Sequence, residues 1–138
     1  MRLTSHVENE NLNEVFQSVY KSGYSTETAL TRIQNDILRT IDDGRCAALA
    51  LLDLSAAFDT VDHNLLLARL EQRFHITGKA LSWLKSYLLG RTQFVRISNE
   101  RSASRELPCG VPQGSVLGPI LYSMYTAPLA DVIRQHGM

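Results

Sequence analysis

Apolar residues recur at helical spacing in five segments of the chain. The first segment follows the possible caps Ser25 and Thr26 and ends at Gly44. A second helix is predicted after the capping residues within 59–62, and a third opens at Thr77 and closes at Gly90. Residues 116–125 and 128–136 are predicted to form two further helices, the last with a proline in its first turn. The apolar positions of the first helix are Leu30, Ile33, Ile37, Leu38 and Ile41.

Extended segments are predicted between these helices. From Cys46 to Leu54 the chain is apolar except at Asp53, and this run is too short for a buried helix. It therefore predicts a strand covered on both faces. Residues 93–98 are strand-like, residues 98–101 are suited to a turn, and Leu107 leads into a glycine-rich loop over 108–114. A hairpin is predicted in this region.

Composition supports a single globular unit. The chain has 138 residues, of which 44% are hydrophobic and 20% charged. The longest uninterrupted apolar run, from Cys46 to Leu52, is far shorter than the roughly 18 residues that span a bilayer. Residues 1–10 lack the apolar stretch of a secretory signal, so we expect a soluble intracellular protein with no membrane partner. Cys46 and Cys109 have no C-x-x-C spacing, which argues against a disulfide framework or a zinc site.

Charge is balanced overall but uneven along the chain. The 14 basic and 14 acidic residues cancel, yet residues 1–62 hold five basic and ten acidic side chains. Residues 79–105 hold six basic side chains against Glu100 alone, with Trp83, Tyr87 and Phe94 among them. Such a stretch is suited to follow a phosphate backbone, with the aromatic rings stacking on bases. The alternative is a solvated helix face followed by an exposed strand.

Asp53 is the first candidate for chemistry. A carboxylate at the end of an apolar strand is costly to bury unless a cation or hydrogen bonds compensate for it. A hard divalent cation such as Mg²⁺ would compensate, and pairs of such ions assist phosphoryl transfer. The alternative is that Asp53 turns inward to accept hydrogen bonds from backbone amides. Asp59 and Asp62 are predicted to cap the following helix.

The glycine-rich loop is the second candidate. Residues 110–119 read GVPQGSVLGP, and glycines let a backbone approach a phosphate near a helix N-terminus. The segment contains no Gly-Lys-Ser/Thr of a P-loop, and Ser115 lacks the flanking glycines of a nucleophile elbow. Close packing of the following helix is the alternative role of these glycines.

Taken together and in this order, two segments resemble motifs of reverse transcriptases from non-LTR, LINE-like retrotransposons. Residues 53–63, DLSAAFDTVDH, are similar to motif A of that family, and residues 110–119 are similar to its motif B. Residues 17–30 are similar to its fingers segment, and residues 83–88 also fit its pattern. The resemblance implies an α+β fold with a fingers-like segment over 1–44 and a palm-like segment over 45–138.

The resemblance also implies a reaction and residue roles. It implies an RNA-directed DNA polymerase that adds a dNTP to a DNA primer on an RNA template, with two Mg²⁺ ions. Asp53 would be the catalytic metal ligand, and the Leu54 carbonyl would be a second metal contact. Phe58 would exclude a ribose 2′-OH. Gln113 would contact the dNTP, in a loop shaped by its neighbours Pro112 and Gly114.

The chain departs from the family in two respects. Lys21 replaces a usual arginine and Val19 a usual glycine, and lysine lacks the bidentate grip of arginine on phosphate. The aromatic-Ala-Asp-Asp hairpin and the thumb have no counterpart in the 138 residues, so the metal site is expected to be incomplete. The isolated chain is expected to be inactive and marginally stable, with open strand edges. The alternative function is a noncatalytic remnant with at most weak nucleic-acid binding. The family works in the nucleus and the cytoplasm, and no targeting signal indicates which.

Overall fold

The computed structural model describes residues 2–14, 17–21 and 23–136. This part of the chain contains six helices and two small antiparallel sheets, which confirms the predicted mixture of helices and strands. The elements in chain order are α1 (Arg2–Asn9), α2 (Thr26–Asp42), α3 (His63–Gln72), α4 (Gly78–Leu88), β1 (Thr92–Gln93), β2 (Arg96–Ile97), β3 (Glu100–Arg101), β4 (Arg105–Glu106), α5 (Leu117–Thr126) and α6 (Leu129–Gln135). The five predicted helices are confirmed, and α1 was not predicted.

Helix α2 is determined by its own sequence. Its N-cap is Ser25, whose hydroxyl accepts a hydrogen bond from the backbone N–H of Thr28, while the Thr28 hydroxyl accepts one from the Ser25 N–H. This reciprocal pair satisfies two backbone donors that the helix itself leaves unpaired. No residue of α2 is buried, and its apolar residues Leu30 and Ile41 are exposed. The helix therefore forms without burying any of its residues in the described chain.

The hydrophobic core lies where α3, α4 and α5 meet. Asp62 caps α3 by accepting a hydrogen bond from the Leu65 N–H at 2.7 Å, as predicted. Each helix then turns its apolar side inward. The buried side chains of these helices include Leu66, Leu70, Leu84, Leu88, Leu121 and Met124. Burial of this apolar surface is the main stabilising contribution to the fold.

A hairpin follows α4. Strand β1 pairs with β4 and β2 pairs with β3, both antiparallel. The chain reverses at Ser98 and Asn99, and Glu100 and Arg101 already pair with β2 as strand β3. The predicted turn over 98–101 is therefore two residues too long. All eight strand residues are exposed. The strands of the hairpin therefore contribute no residue to the hydrophobic core.

The predicted strand over 46–54 is wrong. Residues 45–54 have no strand pairing in the described chain, and Leu51 and Leu52 are 80% and 79% exposed. A strand needs neighbours to accept and donate its backbone hydrogen bonds. The four strands that the structure describes pair among themselves and leave this segment without one. An apolar run of strand type is thus left open to solvent.

Ion pairs join the N-terminal region to the last helix. Glu14, whose side chain is only 7% exposed, accepts hydrogen bonds from both terminal nitrogens of Arg134 at 2.6 and 3.1 Å. Arg134 also bonds Asp131 at 2.6 Å, and Arg73 pairs with Asp131 and lies 3.6 Å from Glu14. The hydrogen bond from Arg73, followed by that from Arg134, lowers the pKa of the Asp131 carboxyl. This cluster ties the end of α3 to α6.

Among the described helices, none has both the length and the apolar character needed to cross a membrane.

Candidate active site

Two loops that are far apart in sequence are joined by backbone hydrogen bonds. The loop before α3 and the loop before α5 meet in an antiparallel bridge between Asp62 and Cys109. The Gly110 N–H donates to the Val61 carbonyl at 2.8 Å, and the Val111 N–H donates to the Phe58 carbonyl at 2.8 Å. These bonds align residues 58–62 with residues 109–111.

His63 reinforces this junction from inside the core. Its side chain is 2% exposed, and Nε2 donates a hydrogen bond to the Gly110 carbonyl at 2.7 Å. A buried imidazole needs such a partner because an unpaired polar group is costly to bury. His63 therefore has a structural role that connects the first turn of α3 to the glycine-rich loop.

Gly110 is required by close approach as well as by backbone conformation. Its φ is +91°, and a Cβ at this position would lie 3.1 Å from the Asp59 carbonyl oxygen and 3.2 Å from the Phe58 carbonyl oxygen. Those atoms are backbone and cannot rotate away. The absence of a side chain at Gly110 is what allows the two loops to touch.

Ser115 shapes the end of the loop where α5 begins. Its hydroxyl donates to the Pro112 carbonyl at 2.7 Å and accepts from the Gly118 N–H at 2.9 Å. A Cβ on Gly118 would lie 3.0 Å from the Pro112 carbonyl oxygen. Two glycines of this segment, Gly110 and Gly118, thus serve close packing, whereas Gly114 faces open space with a φ of +75°.

A cavity of about 410 Å³ opens beside the joined loops. The structure places four of the predicted site residues in its wall, and the lining as a whole is Tyr20, Phe58, Pro112, Gln113, Gly114, Ser115 and Pro119. The Phe58 ring is supported from α5 by the Tyr122 ring, with centroids 5.1 Å apart and planes tilted by 43°. Residues from both loops therefore face one shared space.

Asp59 holds the side chain of Gln113. The Gln113 Nε2 donates to both carboxylate oxygens of Asp59, at 3.2 and 3.3 Å. Asp59 is therefore not a cap of α3, and that prediction is wrong because Asp62 lies closer to the first turn. Sequence reasoning missed the role of Asp59, although its position directly after Phe58 places it beside the candidate site.

Asp53 acts electrostatically on Tyr122, whose ring supports Phe58. Burial, followed by the negative charge of Asp53, raises the pKa of the Tyr122 phenol above its usual value, and Tyr125 and Tyr20 add smaller contributions. Asp53 itself is exposed, as is Leu54, so the expected buried carboxylate is not found. Among the described residues no backbone amide donates a hydrogen bond to Asp53, which also argues against the inward-turned alternative.

Comparison with known proteins identifies the family. A family model described as reverse transcriptase (RNA-dependent DNA polymerase) matches residues 1–137. The chain belongs to the reverse transcriptase family. The resemblance to reverse transcriptases of non-LTR retrotransposons is confirmed at the level of the family.

Its relatives are polymerases of mobile elements. The probable RNA-directed DNA polymerase from transposon BS of Drosophila melanogaster is 39% identical over 80% of this chain and 12% of its own length. The probable polymerase from transposon X-element of the same fly is 34% identical over 91% of this chain and 14% of its own length. The polymerase from its mobile element jockey is 35% identical over 81% of this chain. The chain thus spans 12% to 14% of the length of these relatives. No solved structure gives a significant match.

Lys21 of this reverse transcriptase segment lies outside the cavity that contains Phe58. Its ammonium lies 5.1 Å from the centre of the Tyr24 ring, and it lines a smaller hollow together with Val19 and Tyr20. Tyr20 borders both spaces. The structure therefore places Lys21 next to the candidate site but does not bring it to the four residues of motifs A and B.

Divalent metals are used generally by this family, and the described residues fit a metal site only in part. Asp53 offers one exposed carboxylate, and Leu54 offers a carbonyl oxygen, which are donors of the type that Mg²⁺ prefers. Within the ranges that the structure describes, no group of three or more acidic, histidine or cysteine side chains could hold a metal ion. A complete two-metal site is therefore not formed by these residues alone.

Proposed function

We propose that this chain is part of the RNA-directed DNA polymerase of a retrotransposon, where it selects and positions the incoming dNTP. The observation that carries this proposal is the cavity at the junction of motifs A and B, with Phe58, Pro112, Gln113 and Gly114 in its wall. A volume of about 410 Å³ lies within the range of small-ligand sites.

In this proposal Phe58 discriminates between sugars. Its ring forms part of the wall and is supported by Tyr122, so it resists displacement by a ligand. A ribose 2′-OH next to this ring would meet an apolar surface with no hydrogen-bond partner, and the loss of hydration would oppose its binding. A deoxyribose has no 2′-OH, so it loses no such hydration when it binds next to the ring.

Gln113 would contact the bound nucleotide. The bonds from Nε2 to Asp59 orient the amide, and its Oε1 is the remaining acceptor. Pro112 and Gly114 shape the loop on either side, and Lys21 would supply a positive charge near the phosphates. In this proposal the chain divides into a fingers-like segment, residues 1–44, and a palm-like segment, residues 45–138.

Asp53 and the Leu54 carbonyl would be this chain's ligands to Mg²⁺. Bound divalent ions supply electrostatic stabilisation to the displacement at the α-phosphate by a primer 3′-OH. The RNA template, the DNA primer and the dNTP are the proposed partners.

The test uses a full-length polymerase that contains this segment, assayed by primer extension on an RNA template with Mg²⁺. Asp53→Ala should abolish synthesis, and Phe58→Val should increase incorporation of ribonucleotides. Asp36→Ala, on the exposed face of α2, and Tyr122→Phe, which keeps the supporting ring, are the matched controls and should behave as wild type. Normal synthesis with Asp53→Ala, or unchanged sugar selectivity with Phe58→Val, would contradict the assigned roles.

A second candidate function is a noncatalytic remnant with at most weak nucleic-acid binding. The incomplete set of metal donors among the described residues favours it. The 138-residue chain should then show no templated synthesis with Mg²⁺, whereas a primer extended by this chain itself would refute it.

A further inference from the structure

Aromatic and basic side chains on α4 and the hairpin take no part in the site described above. We call them the basic aromatic surface: its exposed members are Lys79, Trp83, Phe94 and Arg101, and Tyr87 and Arg91 lie half-buried beside them. We propose that this surface binds single-stranded nucleic acid, with bases stacking on its rings and phosphates contacting its cations. The proposal deepens the proposed function, since it locates where this chain holds a polynucleotide, but its test does not depend on polymerisation.

The aromatic part on α4 is already arranged for stacking. Trp83 is 55% exposed, although tryptophan is a large apolar residue. It stacks on Tyr87 with centroids 5.6 Å apart and planes within 11° of parallel. Lys79, Trp83 and Tyr87 follow one another at four-residue spacing and so lie along one side of α4. A base that stacks on Trp83 would extend this stack next to a positive charge.

The hairpin offers a second stacking site. The Arg101 guanidinium lies 3.7 Å from the centre of the Phe94 ring, and that ring is 46% exposed. Phe94 lies in the break between β1 and β2, where no ladder pairing is made. Both the ring and the planar guanidinium can stack on an unpaired base. Only residues 89–91 separate this hairpin from the end of α4.

The cations of this region are not paired with carboxylates of the described residues. In the described chain, none of the six basic residues between 79 and 105 forms an ion pair with a carboxylate. By contrast, Arg45, Arg73 and Arg134 are each paired. Unpaired cations next to exposed rings complement the two features of a single strand, its phosphates and its unstacked bases. A duplex offers the phosphates but keeps its bases stacked.

The test uses the fluorescence of Trp83, which is the only tryptophan of the chain. The 138-residue chain is titrated with uridine and thymidine homopolymers of about 16 nucleotides and with a DNA duplex of the same length. We expect saturable quenching by both single strands and weaker binding of the duplex. For roughly three or four phosphate contacts, affinity should fall about 20- to 50-fold between about 50 and 200 mM salt.

Variants assign the binding to this surface. Trp83→Ala, measured by anisotropy of a labelled strand, should lose roughly fivefold or more in affinity. Tyr24→Ala removes another exposed ring, 47% accessible and beside α2, and should bind as wild type. Arg101→Ala should flatten the salt dependence, and Arg39→Ala on α2 should not. Circular dichroism checks that each variant is folded, and the quenching of the wild-type protein is independent of any variant.

The outcomes separate this inference from the proposed function. Tighter binding of RNA than of DNA would identify a surface for the template, and equal binding would identify a surface for either strand. Trp83 also borders an apolar cavity of about 660 Å³, which a protein partner would fill instead. The inference would be overturned if Trp83 fluorescence were not quenched or if the duplex bound as tightly as the single strands. Equal losses of affinity with Trp83→Ala and Tyr24→Ala would also overturn it. These outcomes do not depend on the primer-extension result.

Discussion

Replacing Gly110 by alanine should separate the two loops that form the candidate site. The new Cβ would lie 3.1 to 3.2 Å from backbone atoms of Phe58 and Asp59, which is closer than ordinary van der Waals contact. The positive φ of +91° adds strain for any residue with a side chain. Moving the loops apart would also weaken the hydrogen bond between His63 and the Gly110 carbonyl.

The magnitude follows from comparison with Gly114. Both glycines have positive φ, but a Cβ on Gly114 meets nothing within 4 Å. Gly114→Ala should therefore cost about 1 kcal/mol, since strain of about 1–3 kcal/mol is partly offset by the lower entropy of the unfolded chain. Gly110→Ala carries the same strain plus overpacking of about 1–3 kcal/mol, so we expect a total loss of about 2–4 kcal/mol.

Urea unfolding followed by circular dichroism measures the difference between the two variants. The free energy of unfolding should fall clearly more for Gly110→Ala than for Gly114→Ala, and complete unfolding of the former alone would agree with this. Equal losses, or a larger loss for Gly114→Ala, would refute the reasoning that backbone contact at Gly110 joins the loops.

Three further changes test the core, the ion pairs and the site. Leu66→Ala removes a fully buried side chain and should lower the free energy of unfolding in urea by about 2–5 kcal/mol. Leu52→Ala changes a 79% exposed position and should lower it by less than about 0.5 kcal/mol. Equal losses for the two variants would contradict the described core. Because the folded-state pKa of Asp131 is lowered, its carboxylate stabilises the fold above the ordinary aspartate pKa of about 3.9, and this contribution disappears as the pH falls through the lowered value. The difference in urea midpoint between wild type and Asp131→Asn should therefore be present near neutral pH and vanish in strong acid, and a difference that persists there would oppose the assignment. In a full-length polymerase, Asp59→Leu should raise the KM for dNTP about 5- to 10-fold, because it releases the Gln113 amide. Asp59→Asn keeps a hydrogen-bond acceptor, so its KM should stay near that of the wild type. Equal effects of the two variants on KM would argue against a positioning role of Asp59.

Much of the candidate site could be predicted from residue types and spacing. Phe58, Pro112, Gln113 and Gly114 were predicted to act together, and the structure brings them to one cavity. The contact between Asp59 and Gln113 could not be predicted, because 54 residues separate them and only the bridge between the loops aligns their side chains. The same holds for His63, whose partner carbonyl is 47 residues away.

The helices and the predicted strand over 46–54 differ in how far their own sequence determines their conformation. The helices were predictable because their hydrogen bonds are local, so a cap such as Ser25 and an apolar period determine where α2 begins and ends even though it buries no residue. A strand satisfies its backbone only through another segment, so the apolar run over 46–54 did not determine its own conformation. Its exposure is a property of the tertiary structure, in which β1 to β4 pair with one another.

The sequence by itself therefore determined five of the six described helices, the Ser25 cap of α2 and the two motif loops that carry the family resemblance. Only the tertiary structure decided which residues meet across those loops, which apolar segments remain exposed, and which acidic residue caps α3. The physical reason is range. Backbone hydrogen bonds within a helix connect residues four apart, whereas the Phe58, Asp59 and Gly110 contacts form only when packing of α3 against α5 has brought distant parts of the chain together.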